Sequence, residues 1–316
     1  MDATGATGPR FRGDPAELYR VHADAAEELA GGQPVMLVAL DGYVDAGSGV
    51  ALAVRELLRA LPHNPAVTFD ADALVDYRSR RPTLTFSSNS FTEYGTPELV
   101  IHRMRDEAGV PFLLFSGPEP DLSWEKFVAA VGQVVDLLGV RLTISLMAIP
   151  MGVPHTRPTG MSAHATDPGL IPDATNWIGT VQVPGHATGL LEYRFGEAGR
   201  AALGFAAHVP HYLARTEYPE TARTLIQAAA DASGLLLPTS GLDEAAAGVQ
   251  AQLAEQIAEH GEVAEVVQAL ERQYDAFVSA TGQSLLAQSA PLPTADELGA
   301  QFEAYLANRE PGDGTS

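Results

Sequence analysis

The sequence predicts an α/β fold built on a mostly parallel sheet, and three observations carry that reading. Val35–Leu40 is an unbroken apolar run. It enters the polar, glycine-bearing turn Asp41-Gly42-Tyr43-Val44-Asp45-Ala46-Gly47, and an amphipathic helix pattern follows to Leu61. Pro111–Phe115 and Arg141–Ile149 are two further short apolar runs bounded by turn residues, as strands buried on both faces should be. Helical patterns alternate with these runs, which is the mark of a parallel sheet with helical crossovers. In such a sheet ligands bind beyond the carboxyl ends of the strands, so the turn at 41–47 is the first place to look for a site.

The remaining elements follow in order. Residues 1–12 read as a disordered tail and 15–30 as a short helix. Val67–Tyr77 reads as a strand ending in the arginine-rich turn Arg78-Ser79-Arg80-Arg81-Pro82, and Glu98–Met104 as another strand. Trp124–Leu138 repeats apolar residues at helical spacing, and Pro219–Ser233 is a further helix. The loop Pro150–Pro158 holds three prolines and is fixed rather than helical. Residues 160–215 have β character broken by Gly and Pro. Beyond Gly241, Leu242, Ala246, Val249, Leu253 and Ile257 recur at helical spacing. Gly261 interrupts, and the pattern resumes from Val263 to Phe277. That predicts a helical hairpin with Leu253, Ile257, Val266 and Leu270 on its packed face. A third helix is expected over Ala295–Asn308.

Composition narrows the function classes. Cysteine is absent, which excludes disulfides, zinc–thiolate sites and cysteine nucleophiles. Forty acids face nineteen basic residues for a net −21, a charge that repels a phosphate backbone and argues against a nucleic-acid partner. Lys126 is the one lysine, so lysine chemistry is confined to that position, and the Arg and Ala bias fits a GC-rich, actinobacterial genome. The N-terminus has no apolar core of a signal peptide, and no apolar run is long enough to span a membrane. A cytoplasmic protein without membrane contact is the expectation. From Gly241 on there are thirteen acids against two arginines, so this stretch carries about half of the net charge.

Six segments taken together carry a family resemblance: DGYVDAG at 41–47, YRSRRP at 77–82, FLLFSGPEPD at 112–121, IPMGVPHTRP at 149–158, VPGHATGLLEYRFG at 183–196 and AHVPHYLA at 207–214. They occur in family order, and the chain resembles the proteasome assembly chaperone 2 family of bacteria in its actinobacterial branch over residues 33–280. The resemblance implies a three-layer α/β/α sandwich similar to the nucleoside phosphorylase/hydrolase-like fold. It also implies protein partners and a homo-oligomer, a trimer being one option. On that basis residues 1–32 are a tail and short helix, 33–238 the sandwich, 239–310 an acidic helical hairpin plus last helix, and 311–316 a disordered tail. The segment Glu310–Ser316 lacks the hydrophobic–tyrosine–any ending of ring-docking chaperones, so the resemblance does not carry docking by that route.

The candidate cleft comprises Asp41, Gly42, Asp45, Arg78, Arg81, Ser116, Glu119, His155 and Arg157, most of them just past strand ends. Asp45 suits the N-cap of a helix starting near Ala46. A carboxylate there satisfies the amides a phosphate would use, leaving a cation, an amine or a phosphate as the ligand alternatives. Arg78, Arg80 and Arg81 suit an oxyanion clamp or internal salt bridges. Ser116-Gly117-Pro118-Glu119 does not match a nucleophile elbow. Glu119 is a candidate acid or base, or a helix-entry charge. His155 and Arg157, on a proline-fixed loop, suit an acidic ligand or proton transfer. Pro210 separates His208 from the regular helix that would pair it with His211 on a metal, so the sequence calls for no metal and no cofactor. Two function classes stand: a non-enzymatic, chaperone-like interaction protein, and a phosphorylase- or hydrolase-type enzyme working at the carboxyl edge.

Overall fold

The structure, a computed structural model, describes residues 11–23, 29, 31–171, 180–259 and 261–283. Residues 1–10 of the expected tail at 1–12, the third helix at 295–308 and the segment 311–316 lie outside these residues. The strands are β1 (Tyr19–Val21), β2 (Val35–Asp41), β3 (His63–Phe69), β4 (Leu84–Ser87), β5 (Ser90–Tyr94), β6 (Leu99–Arg105), β7 (Pro111–Pro118), β8 (Leu142–Met151), β9 (Met161–Ala165) and β10 (Ala202–Pro210). The helices are α1 (Gly49–Ala60), α2 (Trp124–Leu137), α3 (Ala187–Glu197), α4 (Pro219–Ser233), α5 (Ser240–Glu259) and α6 (Gly261–Gln283).

Eight strands form one sheet in the order β1-β3-β6-β7-β2-β8-β10-β9. The three apolar runs of the sequence, β7, β2 and β8, are adjacent interior strands and pair in parallel. Alternation along β2 builds the layers. Met36, Val38 and Leu40 pack with Leu113, Phe127 and Val131 on the face covered by α2 and α3. Val35, Leu37 and Ala39 pack with Ile144, Val50 and Leu225 on the face covered by α1 and α4. Successive strand side chains point to opposite faces, so an unbroken apolar strand requires helices on both. The result is a three-layer α/β/α sandwich.

The structure corrects several expected elements. The sheet is mixed, because β10 joins β8 in parallel but β6–β7, β3–β6, β1–β3 and β10–β9 are antiparallel. The tight β6–β7 turn explains the first of these: the buried Asp106 accepts from Ala108 N and Val110 N at 3.0 and 2.7 Å, closing it as a hairpin. The strand expected over 67–77 ends at Phe69, because Asp70 caps a single helical turn, Ala71–Leu74. Residues 15–21 are a short 3-10 helix and an edge strand rather than the start of a helix; Asp14 caps that turn with Pro15 at its head. The β-rich middle section contains a true helix, α3, whose cap is His186.

By contacts, residues through Leu270 form one compact unit, and a second begins at Glu271 within α6. In the first unit, Leu242 and Ala246 of α5 are buried, while Val249 and Leu253 pack against Ala46, Ala148, Val209, Leu213 and Tyr218. Among the described residues of α6, Val267 is buried and Val266 is exposed, one residue off the face the sequence suggested. No helix among the described residues is long and apolar enough to cross a membrane.

Candidate functional site

The carboxyl ends of β2 and β7 lie side by side, with Asp41 paired to Pro118. Their turns are locked together by the main chain, since Glu119 N donates to Asp41 O at 2.8 Å. Two glycines make this approach possible. A Cβ on Gly42 would collide with the Glu119 side chain, and Gly117 takes φ +127, where a Cβ would collide with the backbone of Glu98.

Glu119 is buried, and both of its oxygens are taken by backbone amides. Oε2 accepts from Tyr43 N at 3.0 Å, and Oε1 accepts from Ala187 N, the first residue of α3, at 2.7 Å. The residue is thus a helix-entry charge, but for α3, 68 positions away, rather than for the helix that follows it. A carboxylate at a helix start satisfies orphan donors and favours the dipole. His186 completes this helix start, its Nδ1 accepting from Gly189 N at 3.0 Å. Burial holds the His186 pKa below its ordinary value, with Glu119 opposing.

Asp45 does the same for α1. Its Oδ1 accepts from Val50 N at 2.6 Å and its Oδ2 from Ala51 N at 3.2 Å. The cap acts across an intervening 3-10 turn, Ala46–Ser48, so α1 begins at Gly49 and not near Ala46. Burial raises the Asp45 pKa from 3.8 to about 6; the two amide bonds oppose this, and Asp41 adds to it. An isolated bridge to Ala148 ties this turn to β8.

The arginines divide. Arg80, rather than Arg78 or Arg81, joins the edge: it donates to Asp41 O at 3.2 Å and pairs with Asp121 at 3.2 Å. Asp121 also accepts from Asp76 N at 2.9 Å. Arg78 and Arg81 are exposed, and their guanidinium groups make no ion pair among the described residues. Ser116 is buried within β7, opposite Ala39. His155 is buried beside Tyr212, whose hydroxyl lies 2.9 Å from His155 N and 2.7 Å from Nδ1. Arg157 donates to Thr156 O at 3.4 Å. Asp41, Gly42, Asp45 and Glu119 therefore share one edge. The carboxylates of Asp45 and Glu119 aim at main-chain N–H groups, a geometry that fixes loops. Among the described residues no group of three or more His, Asp or Glu is arranged to hold a metal ion.

Sequence reasoning missed Asp121, His186 and Tyr212 as parts of this edge. Asp121 and His186 stand inside FLLFSGPEPD and VPGHATG, but their partners are 45 and 3 positions away respectively, and no local spacing announces the first.

The chain is a member of the PAC2 family, whose model matches residues 39–257. A comparison with curated proteins found no match. Among solved structures, a Mycobacterium tuberculosis protein of unknown function is 46% identical with a TM-score of 0.80, covering 85% of this chain and 94% of its own. A Corynebacterium glutamicum protein of unknown function is 40% identical with a TM-score of 0.78, covering 83% and 98%. A Mycobacterium tuberculosis proteasome-assembly chaperone homologue is 28% identical with a TM-score of 0.68, covering 74% and 99%.

Proposed function

We propose that this chain is a non-enzymatic, chaperone-like protein that binds protein subunits during assembly of a larger complex, the proteasome being the first candidate. The observation that carries the reading is the orientation of Asp45 and Glu119: two of the three acids of the expected cleft hold helix starts rather than a cavity. Membership of the PAC2 family and likeness to a proteasome-assembly chaperone homologue support the same class. We place its action in the cytoplasm and its working form as a homo-oligomer.

The test is affinity capture from native-host lysate with the intact chain and a version truncated at Gly241, with subunits identified by mass spectrometry. The reading expects unassembled subunits of one complex to be enriched on the intact chain. Phosphate- or nucleoside-dependent turnover by the purified protein, without such enrichment, would move the assignment to the enzyme class.

A further inference from the structure

Away from the carboxyl edge, two histidines of neighbouring strands meet on one face of the sheet. β3 and β6 pair antiparallel, with His63 opposite Met104 and Pro65 opposite His102. Residues opposite each other, and residues two apart along a strand, share a face. His63 and His102 therefore stand on the face where Met104 joins the core beneath α1 and α4. The ladder is weak at this point. Pro65 has no N–H to donate, and the register skips Ala66 at a bulge. The two imidazole centroids are 5.6 Å apart with their planes at 85°. Two imidazoles sharing one tetrahedral ion, with metal–nitrogen bonds of about 2.0–2.1 Å, hold their centroids roughly 5–6 Å apart. The pair already stands at that separation.

Each ring has a nitrogen to give. His63 Nδ1 lies 3.1 Å from Leu61 O. A carbonyl only accepts, so Nδ1 carries the proton and Nε2 keeps a free lone pair. A backbone carbonyl on the far nitrogen is a common way of orienting a metal-ligating histidine. In His102, Nδ1 is buried without a hydrogen-bond partner. A buried polar atom left alone needs an explanation, and a bound ion is one. Burial, together with the neighbouring His63, holds the His102 pKa down to about 4. Its ring is therefore neutral near pH 7, where no proton competes with an ion. His63 is exposed, which gives an ion a way in. Imidazole nitrogens favour late first-row divalent ions, whereas Mg2+ and Ca2+ take oxygen ligands. Among the described residues no third His, Asp or Glu is arranged to complete the set, so water fills the other positions.

We propose that His63 Nε2 and His102 Nδ1 form a two-histidine site for a late first-row divalent cation such as Zn2+, which pins β3 to β6 beside the bulge. The site stands whether or not the chain holds protein subunits. Isothermal titration of the untagged full chain with ZnCl2 tests it, together with thermal unfolding in Zn2+ and in EDTA. The wild type should bind one Zn2+ per chain and melt higher in Zn2+ than in EDTA, because an ion held only by the folded state stabilises that state. His63→Ala and His102→Ala should each abolish both the saturable binding and the melting shift. His211→Ala, at an exposed histidine outside β3 and β6, should leave both as they are. If His102→Ala fails to fold, His63→Ala decides the matter, since its exposed side chain is removed without opening the core. A wild type that shows no saturable binding would overturn the site and leave the two rings as a packed pair. Binding that persists unchanged in His63→Ala would overturn it as well.

Discussion

At the scale of single residues, the carboxyl edge shows how acids that look catalytic serve the backbone. Asp45→Ala should lower stability by about 1 kcal/mol, the ordinary cost of losing a cap, read by urea unfolding. Titration adds a sign. Because the folded pKa of Asp45 is raised from 3.8 to about 6, the folded state holds the proton more tightly. Its contribution is full below the unfolded pKa and is lost as pH rises through about 6. Asp45→Asn, which keeps an acceptor and has no charge, should gain on the wild type between pH 4 and pH 7 in melting temperature. A constant difference across that window would contradict the assignment. Glu119→Ala should be worse than Asp45→Ala. It strands the amides of Tyr43 and Ala187, the latter in a buried bond, and each unsatisfied buried donor costs about 1–3 kcal/mol.

At the scale of elements, the apolar strands were legible because burial on both faces leaves a continuous run, and Val35–Leu40 has no other stable home. Trp124–Leu137 and Pro219–Ser233 were legible for the matching reason, a 3.6-residue apolar stripe. Helix α3 was not: Gly and polar residues dilute its stripe, and its start is set by Glu119 from a distant turn. The direction of β6 was hidden too, since a carboxylate closing a five-residue turn leaves no periodicity to read. In the candidate site, Asp45 as a cap could be read locally, but the reach of Glu119 to α3 and the choice of Arg80 over its neighbours depend on tertiary approach. The register of α6 gives a clean check. Val267→Ala should cost about 1–2 kcal/mol, because a buried valine side chain is being trimmed. Val266→Ala on the exposed side should stay within about 0.5 kcal/mol. Equal losses at the two positions would mean the helix is turned differently.

At the scale of the whole molecule, the partly buried His102 and His186 and the buried His208 oppose Asp45. Burial lowers the pKa of His102 to about 4 and also lowers those of His186 and His208. Groups held neutral in the fold give stability that is lost as pH falls from about 6.5 toward 4. His186 sharpens this, since its Nδ1 must stay unprotonated to cap α3. His186→Asn keeps a capping acceptor without the titration and should therefore resist acid better than the wild type in a melting series from pH 7 to pH 4. The C-terminal helices have a testable structural share as well. Val249 and Leu253 of α5 help cover the cluster around Ala148 and Tyr218, so truncation at Gly241 should lower the melting temperature even where no partner is present.

The central claim is that the PAC2 chain works by holding protein subunits and not by turning over a small molecule. The most direct measurement is native mass spectrometry of the full chain mixed with purified, unassembled proteasome α-subunits from its own host. The account predicts a discrete complex between the chain and those subunits that disappears once rings are complete. Free chain and free subunits at every ratio, together with phosphorolysis or hydrolysis of a nucleoside by the chain alone, would contradict it.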